Sequence, residues 1–290
     1  MKKPYYLGCP MWSNKQWNGS LFKRKAKPNE FLAQYSKVMS SVEGNTTFYA
    51  LPKPEVVAKW YEATPKGFKF TFKFPRTISH DQQLQECEAD TQAFFERLAP
   101  LGHKLGPLFL QLPPNFANLN ILEHYLRKLP PDFEYAVEVR GPFFHRGDAV
   151  EEHLHQLLIE LGMDRVVFDT HRLMQMSTKE PELMDAQRRK PKSPVRQEPT
   201  GPRPFLRFVG HPHIEHDRDV ITQWAVLTAG WIREGRTPYI FMHHAPDDVD
   251  APPLCRLFHK LLRERLPSLE PMAPWPGEQE PPEPVQLELF

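Results

Sequence analysis

Apolar and polar residues alternate in short runs along this chain, and between the runs apolar positions recur at helical spacing. Residues 68–74, FKFTFKF, are the clearest case: Phe68, Phe70, Phe72 and Phe74 share one face, and Lys69, Thr71 and Lys73 the other. Eight such runs, at 5–9, 38–43, 68–74, 108–112, 135–140, 165–169, 205–209 and 239–243, predict strands. Helices are predicted over 28–37, 54–61, 90–99, 119–128, 150–161, 219–233 and 254–266. A regular βα rhythm implies a parallel sheet covered by helices, and eight strands close a barrel. The expected fold is an α/β single domain, a (β/α)8 TIM-like barrel over residues 1–266.

Two stretches break the rhythm. Residues 174–204, rich in Pro, Lys and Arg, have no apolar period beyond a short ELMDAQ turn, so a long mobile basic loop between strands six and seven is expected over the barrel mouth. Residues 267–290 form a Pro-rich acidic tail, expected to be extended or disordered.

Composition narrows the class. The 290 residues are 40% hydrophobic and 25% charged, with 20 Phe and 6 Trp, enough for a sizeable core. A net charge of +1 gives no global attraction for polyanions, so nucleic-acid binding would need a local basic patch. Cys9, Cys87 and Cys255 are widely spaced, which predicts reduced thiols and no disulfide framework. Without a signal-like apolar segment or a run long enough to cross a bilayer, the expected location is cytoplasmic, with no membrane partner; oligomeric state stays open.

Polar residues on the inward strand faces fall at carboxyl ends, where barrels of this kind assemble their sites. Alternation turns Lys73 inward, and likewise Glu43 and Asn45, Glu138 and Arg140, Gln111, Arg207 and His243; the face holding Val167 also holds Asp169. Carboxylates beside cations suit acid–base work on an anionic substrate. Glu43, Asn45, Lys73, Glu138 and Asp169 are therefore the candidate catalytic residues. Gln111, Arg140, Arg207 and His243 are candidate substrate ligands, joined by Tyr49 and Trp12 as stacking aromatics near the mouth, with Trp17 and Phe48 in the same region. The competing expectation is a structural lumen network pairing Lys73 with Glu43 or Glu138, and Arg207 with Asp169. No cofactor is specified: HExxH and other close ligand spacings are absent, and a divalent metal on Glu43, Glu138, Asp169 and His243 is the alternative. His211, His213 and His216 are expected to be solvated, and the glycine-rich nucleotide and serine-hydrolase signatures are missing.

The segments YYLGCPMWSNKQWNGSLF, VEGNTTFYALP, FKFTFKFPRTISH, LGPLFLQLPP, YAVEVR, FDT, FLRFVGH and PYIFMHHAPDD, in this order from about residue 5 to 266, resemble the YecE-like family, domain of unknown function 72. The resemblance implies a TIM-barrel fold but no particular reaction. Its shared polar positions match Glu43, Asn45, Lys73, His80, Gln111, Glu138, Arg140, Asp169 and Arg207, which implies His80 as a further candidate substrate ligand.

The last residues, Gln286, Leu287, Glu288, Leu289 and Phe290, resemble the peptide by which bacterial repair and replication proteins dock on the DNA sliding clamp. Leu287, Leu289 and Phe290 would fill a hydrophobic groove and Gln286 would bond at its rim. The leading expectation is thus an enzyme acting on a phosphate-bearing or nucleic-acid substrate in DNA metabolism, recruited by the clamp. The alternatives are a sugar or sugar-phosphate isomerase or hydrolase, or a noncatalytic ligand-binding adaptor.

Overall fold

The computed structural model describes residues 3–281. Each of the eight anticipated runs forms a strand: β1 Tyr6–Gly8, β2 Ser41–Gly44, β3 Lys69–Phe72, β4 Leu108–Gln111, β5 Tyr135–Glu138, β6 Asp164–Asp169, β7 Phe205–Gly210 and β8 Tyr239–His244. The helices are α1 Pro28–Val38, α2 Thr46–Tyr49, α3 Pro54–Ala63, α4 Glu88–Leu98, α5 Leu119–Lys128, α6 Ala149–Glu160, α7 His171–Gln175, α8 Pro181–Arg189, α9 Arg218–Arg233 and α10 Ala251–Arg263. Several start as the sequence dictates: proline stands at the first or second position of α1, α3, α8 and α10, and Asp148 accepts the Val150 and Glu151 N–H groups ahead of α6.

All ladders are parallel, and they form a curled α/β fold with a six-stranded sheet, β1-β8-β7-β6-β5-β4, and a separate β2-β3 pair. Between β1 and β2 the ladder is interrupted by a side chain. The Tyr35 hydroxyl accepts the Cys9 N–H at 2.7 Å and donates to the Ser41 carbonyl at 2.9 Å, standing between two backbone groups that would otherwise face each other. Direct bonds survive on either side, Ser40 N–H to Leu7 O and Glu43 N–H to Cys9 O. Gly8 permits the approach: a Cβ there would lie 2.0 Å from the Ser41 oxygen. β3 and β4 are likewise joined by isolated bonds, Gly106 N–H to Phe70 O and Phe74 N–H to Phe109 O.

The core has two parts. Outward strand residues pack under the helices; Phe68, Phe70, Phe72 and Phe74 are all buried there, as alternation requires. Tyr6, Phe109, Ala136, Val166, Phe205, Tyr239 and Phe241 form a second cluster inside the curled sheet. Two residues beyond several of these, on the same face, stand Gln111, Glu138, Arg207 and His243. The interior is therefore apolar below and polar above.

Two expectations need correction. The sixth crossover is not a featureless mobile loop: α8 occupies its middle, burying Leu183 and Ala186 against Phe168 and Val209. The Gln187 amide donates to the Leu173 and Met176 carbonyls at 2.7 and 2.9 Å, and Arg196 grips Glu151 with two bonds of 2.7 and 2.9 Å. A proline start and apolar positions three apart suffice for a helix once a neighbour covers them.

Nor is the described part of the Pro-rich tail, through Pro281, disordered. Trp275 is buried, with the Arg256 guanidinium 3.6 Å over its ring; Arg256 also holds Glu278 at 2.7 and 2.8 Å. A Cβ on Gly277 would meet the Ser20 and Phe22 carbonyls at 2.3 and 2.4 Å, so the chain lies flat on the segment after β1. Proline prevents a helix here but not docking. Gln286, Leu287, Leu289 and Phe290 lie outside the described residues. Among the described residues no helix is long and apolar enough to cross a membrane.

Candidate functional site

A cavity of about 610 Å³ opens at the carboxyl ends of the strands. β2, β3, β4, β7 and β8 or the residues just after them deliver Glu43, Asn45, Lys73, Gln111, Arg207 and His243, and Arg140 follows β5. Trp12 and Tyr49 stand on its wall. Tyr49 is 80% exposed and Trp12 packs edge-on against Trp60 at 5.3 Å.

Arg207 is the centre of the polar layer. It donates through Nε and Nη2 to both Glu43 oxygens, at 2.8 and 2.7 Å, and through Nη1 to Glu138. Arg140 bonds the other Glu138 oxygen. Glu43 also contacts His243 Nε2 at 3.1 Å and accepts the Asn45 amide at 2.8 Å. Phe168 lies flat beneath, its ring 4.3 Å from the Arg207 guanidinium carbon. Burial acts to raise both carboxyls, but Arg207 with His243 holds Glu43 well below the usual range, and Arg140 with Arg207 brings Glu138 to about 2.

Lys73 is different. Its Nζ stands 3.6 Å over the Phe48 ring and, among the described residues, forms no hydrogen bond or ion pair. Burial lowers its pKa first, and Arg207 and Arg140 lower it further, to about 7. A lysine so placed exchanges its proton near neutral pH, as a general base or acid must.

The remaining candidates divide. His80 does not line the cavity; it stands behind Phe48, ring centres 5.0 Å apart, with Nδ1 2.9 Å from Ser79 Oγ. Burial, then Lys73 and Arg140, brings its pKa to about 4. Trp17 is buried in the outer core, its indole donating to Val249 O, and cannot stack on a ligand.

Asp169 points away from the cavity. Its carboxylate accepts the Trp224 indole N–H at 2.8 Å and the His171 backbone N–H at 3.0 Å. β6 is apolar on both faces, so alternation does not say which face is inside; Val166 and Phe168 take the interior and send Asp169 toward α9. The anticipated Arg207–Asp169 pair is accordingly replaced by Arg207 with Glu43 and Glu138. The four-residue metal set is not assembled either: Asp169 is elsewhere, and both oxygens of Glu43 and Glu138 already accept bonds. Among the described residues no group of three or more His, Cys, Asp or Glu is placed to hold a metal.

Sequence reasoning misses Phe168 and Asp248. Asp248 Oδ1 accepts the His244 N–H at 2.8 Å and lies 3.9 Å from His243 Nδ1. The polar APDD turn just beyond β8 is the available signal. From the basic crossover, Arg189 and Lys190 reach the cavity wall. Five cationic side chains thus face two lining carboxylates, with Glu138 behind them.

A family model described as "Protein of unknown function DUF72" matches residues 6–280. The chain belongs to this family. It is 39% identical over 267 residues to the UPF0759 protein YecE of Escherichia coli K12, covering 91% of this chain and 94% of that one. The crystal structure of a DUF72 family protein from Thermotoga maritima matches with a TM-score of 0.68 at 23% identity, covering 89% of this chain and 99% of that chain. A DUF72 family protein from Enterococcus faecalis gives 0.67 at 19%, covering 93% and 98%. At these identities the two structures support the family's fold and nothing about its chemistry.

Proposed function

We propose that this protein is an enzyme whose eight strands close as a (β/α)8 barrel and whose mouth takes a phosphate-bearing substrate, with Lys73 moving the proton. The observation that carries the reading is Lys73 itself, a mostly buried ammonium, unpaired among the described residues, titrating at about 7 beside Arg140 and Arg207. Arg207, tied on three nitrogens, is a positioning residue that sets the field; Arg140, Arg189 and Lys190 are further cations lining the cavity. A volume of about 610 Å³ suits one sugar- or nucleotide-sized unit. Trp12 and Tyr49 offer ring faces to such a unit.

Calorimetric titration with phosphate monoesters and diesters, against the matching neutral alcohols, tests this reading. The phosphorylated compounds bind and the alcohols do not; turnover of a compound that binds falls roughly 10²-fold or more in Lys73→Gln. Equal binding of the alcohols would overturn it. Recruitment to a DNA sliding clamp through Gln286, Leu287, Leu289 and Phe290 is a separate proposal resting on the peptide's sequence alone. Loss of clamp binding on deletion of residues 286–290 tests it.

A further inference from the structure

Beside the main cavity lies a second chamber of about 540 Å³, and Arg140, Arg189 and Lys190 are walls of both. Its lining is one-sided. Arg140, Arg188, Arg189, Lys190 and Lys192 contribute five cations and His145 an imidazole, and among the described residues no carboxylate lines it. The chain as a whole holds 37 Lys and Arg against 36 Asp and Glu, so a five-to-none wall is a local arrangement and not a reflection of bulk charge.

The cations are only partly neutralised from within. Arg140 pairs with Glu138 and Arg189 with Asp185, but among the described residues Arg188, Lys190 and Lys192 have no carboxylate within ion-pair distance. Lys190 is partly buried, and burial lowers its pKa. A desolvated cation without a counterion is costly unless something outside the chain supplies one.

The segment carrying them is also fixed in place. Gln187 ties the end of α8 to the Leu173 and Met176 carbonyls, the Thr170 hydroxyl donates to Pro191 O at 2.8 Å, and the Arg196–Glu151 pair pins the chain beyond. A solvated basic face has no need of such anchoring, whereas a binding wall gains from it because little ordering remains to be done when the ligand arrives.

We propose that the second chamber holds a second phosphoryl group of the same ligand, so that the full site takes a molecule carrying two phosphates across the shared Arg140–Lys190 wall. This rests on the phosphate reading of the main cavity and specifies it further. Two sources share that chemistry, a bisphosphorylated small metabolite and a nucleic-acid strand bearing successive phosphates.

The test uses the full chain and calorimetry with four probes: a hexose monophosphate, a hexose bisphosphate, a nucleoside monophosphate and a 5′-phosphorylated dinucleotide. The expected result is that one two-phosphate probe binds about tenfold or more tighter than its matched monophosphate. In the double variant Arg188→Gln, Lys192→Gln, both exposed positions, that advantage disappears while monophosphate affinity stays the same. A gain confined to the dinucleotide identifies the strand, and a gain confined to the hexose identifies the metabolite. Equal affinity of one- and two-phosphate probes, or an advantage that survives in the variant, overturns the second chamber and leaves the main cavity standing. No binding by any probe overturns both.

Discussion

Arg207 and Glu43 meet in a two-pronged grip, Nε to Oε2 at 2.8 Å and Nη2 to Oε1 at 2.7 Å, with both side chains buried. The two residues belong to different ladders, Arg207 to the six-stranded sheet and Glu43 to the β2–β3 pair. Through Nη1 the same guanidinium reaches Glu138 on β5. The polar layer is thus at once the floor of the site and a clamp across the interior.

Removing that clamp leaves the buried Glu43 without its main partner and Glu138 with Arg140 alone. Arg207→Ala is expected to destabilise the fold by about 3–5 kcal/mol, read as a lower urea midpoint. A loss below about 1 kcal/mol would show that water or relaxation compensates easily, and that the network is not structural.

The low pKa of Lys73 sets a pH dependence. With a folded-state value near 7, the ammonium is present below that pH and lost above it. Sulfate, dianionic throughout, should bind with constant affinity below pH 7 and lose roughly a decade per pH unit above it, until the pKa of the bound state is reached. In Lys73→Gln the profile should be flat over the same range. The stability sign runs the other way: the unfolded lysine keeps its proton up to its ordinary value of 10.5, so this residue makes unfolding less favourable as pH rises from 7 toward 10.5.

The Tyr35 hydroxyl serves one buried donor and one buried acceptor between β1 and β2. Tyr35→Phe keeps the ring and strands both groups, for an expected loss of about 2–4 kcal/mol in chemical denaturation. Thermal and urea melts unchanged from wild type would mean the strands close up and bond directly.

Trp275 ties the Pro-rich tail to α10 through the stacked Arg256. Trp275→Ala should cost about 3 kcal/mol and expose the segment after residue 266 to proteolysis. Cleavage there at the same rate in wild type and variant would show that the tail docks without its tryptophan.

The strands and most of the helices are legible in the sequence because each obeys a local rule. Alternation marks a strand wherever one face is apolar and the other is not, as in FKFTFKF, and it is enough to turn Lys73, Glu43, Glu138 and Arg207 toward a common interior. It fails at β6, where Val166, Val167 and Phe168 make both faces apolar, and there it puts Asp169 on the wrong side. α8 and the docked tail escape it for a related reason: each is held by a partner far away in the chain, Val209 for the one and Ser20 and Phe22 for the other.

Local pattern thus suffices for the number, order and approximate positions of the strands and for the set of charged residues at their carboxyl ends, because those depend on near neighbours and on burying one face. Who pairs with whom is settled in three dimensions. Arg207 takes Glu43 and Glu138 over Asp169, and among the described residues Lys73 is left without an ion partner, because pairing energy depends on distance and burial across the interior, and neither is written in the spacing of residues along a strand.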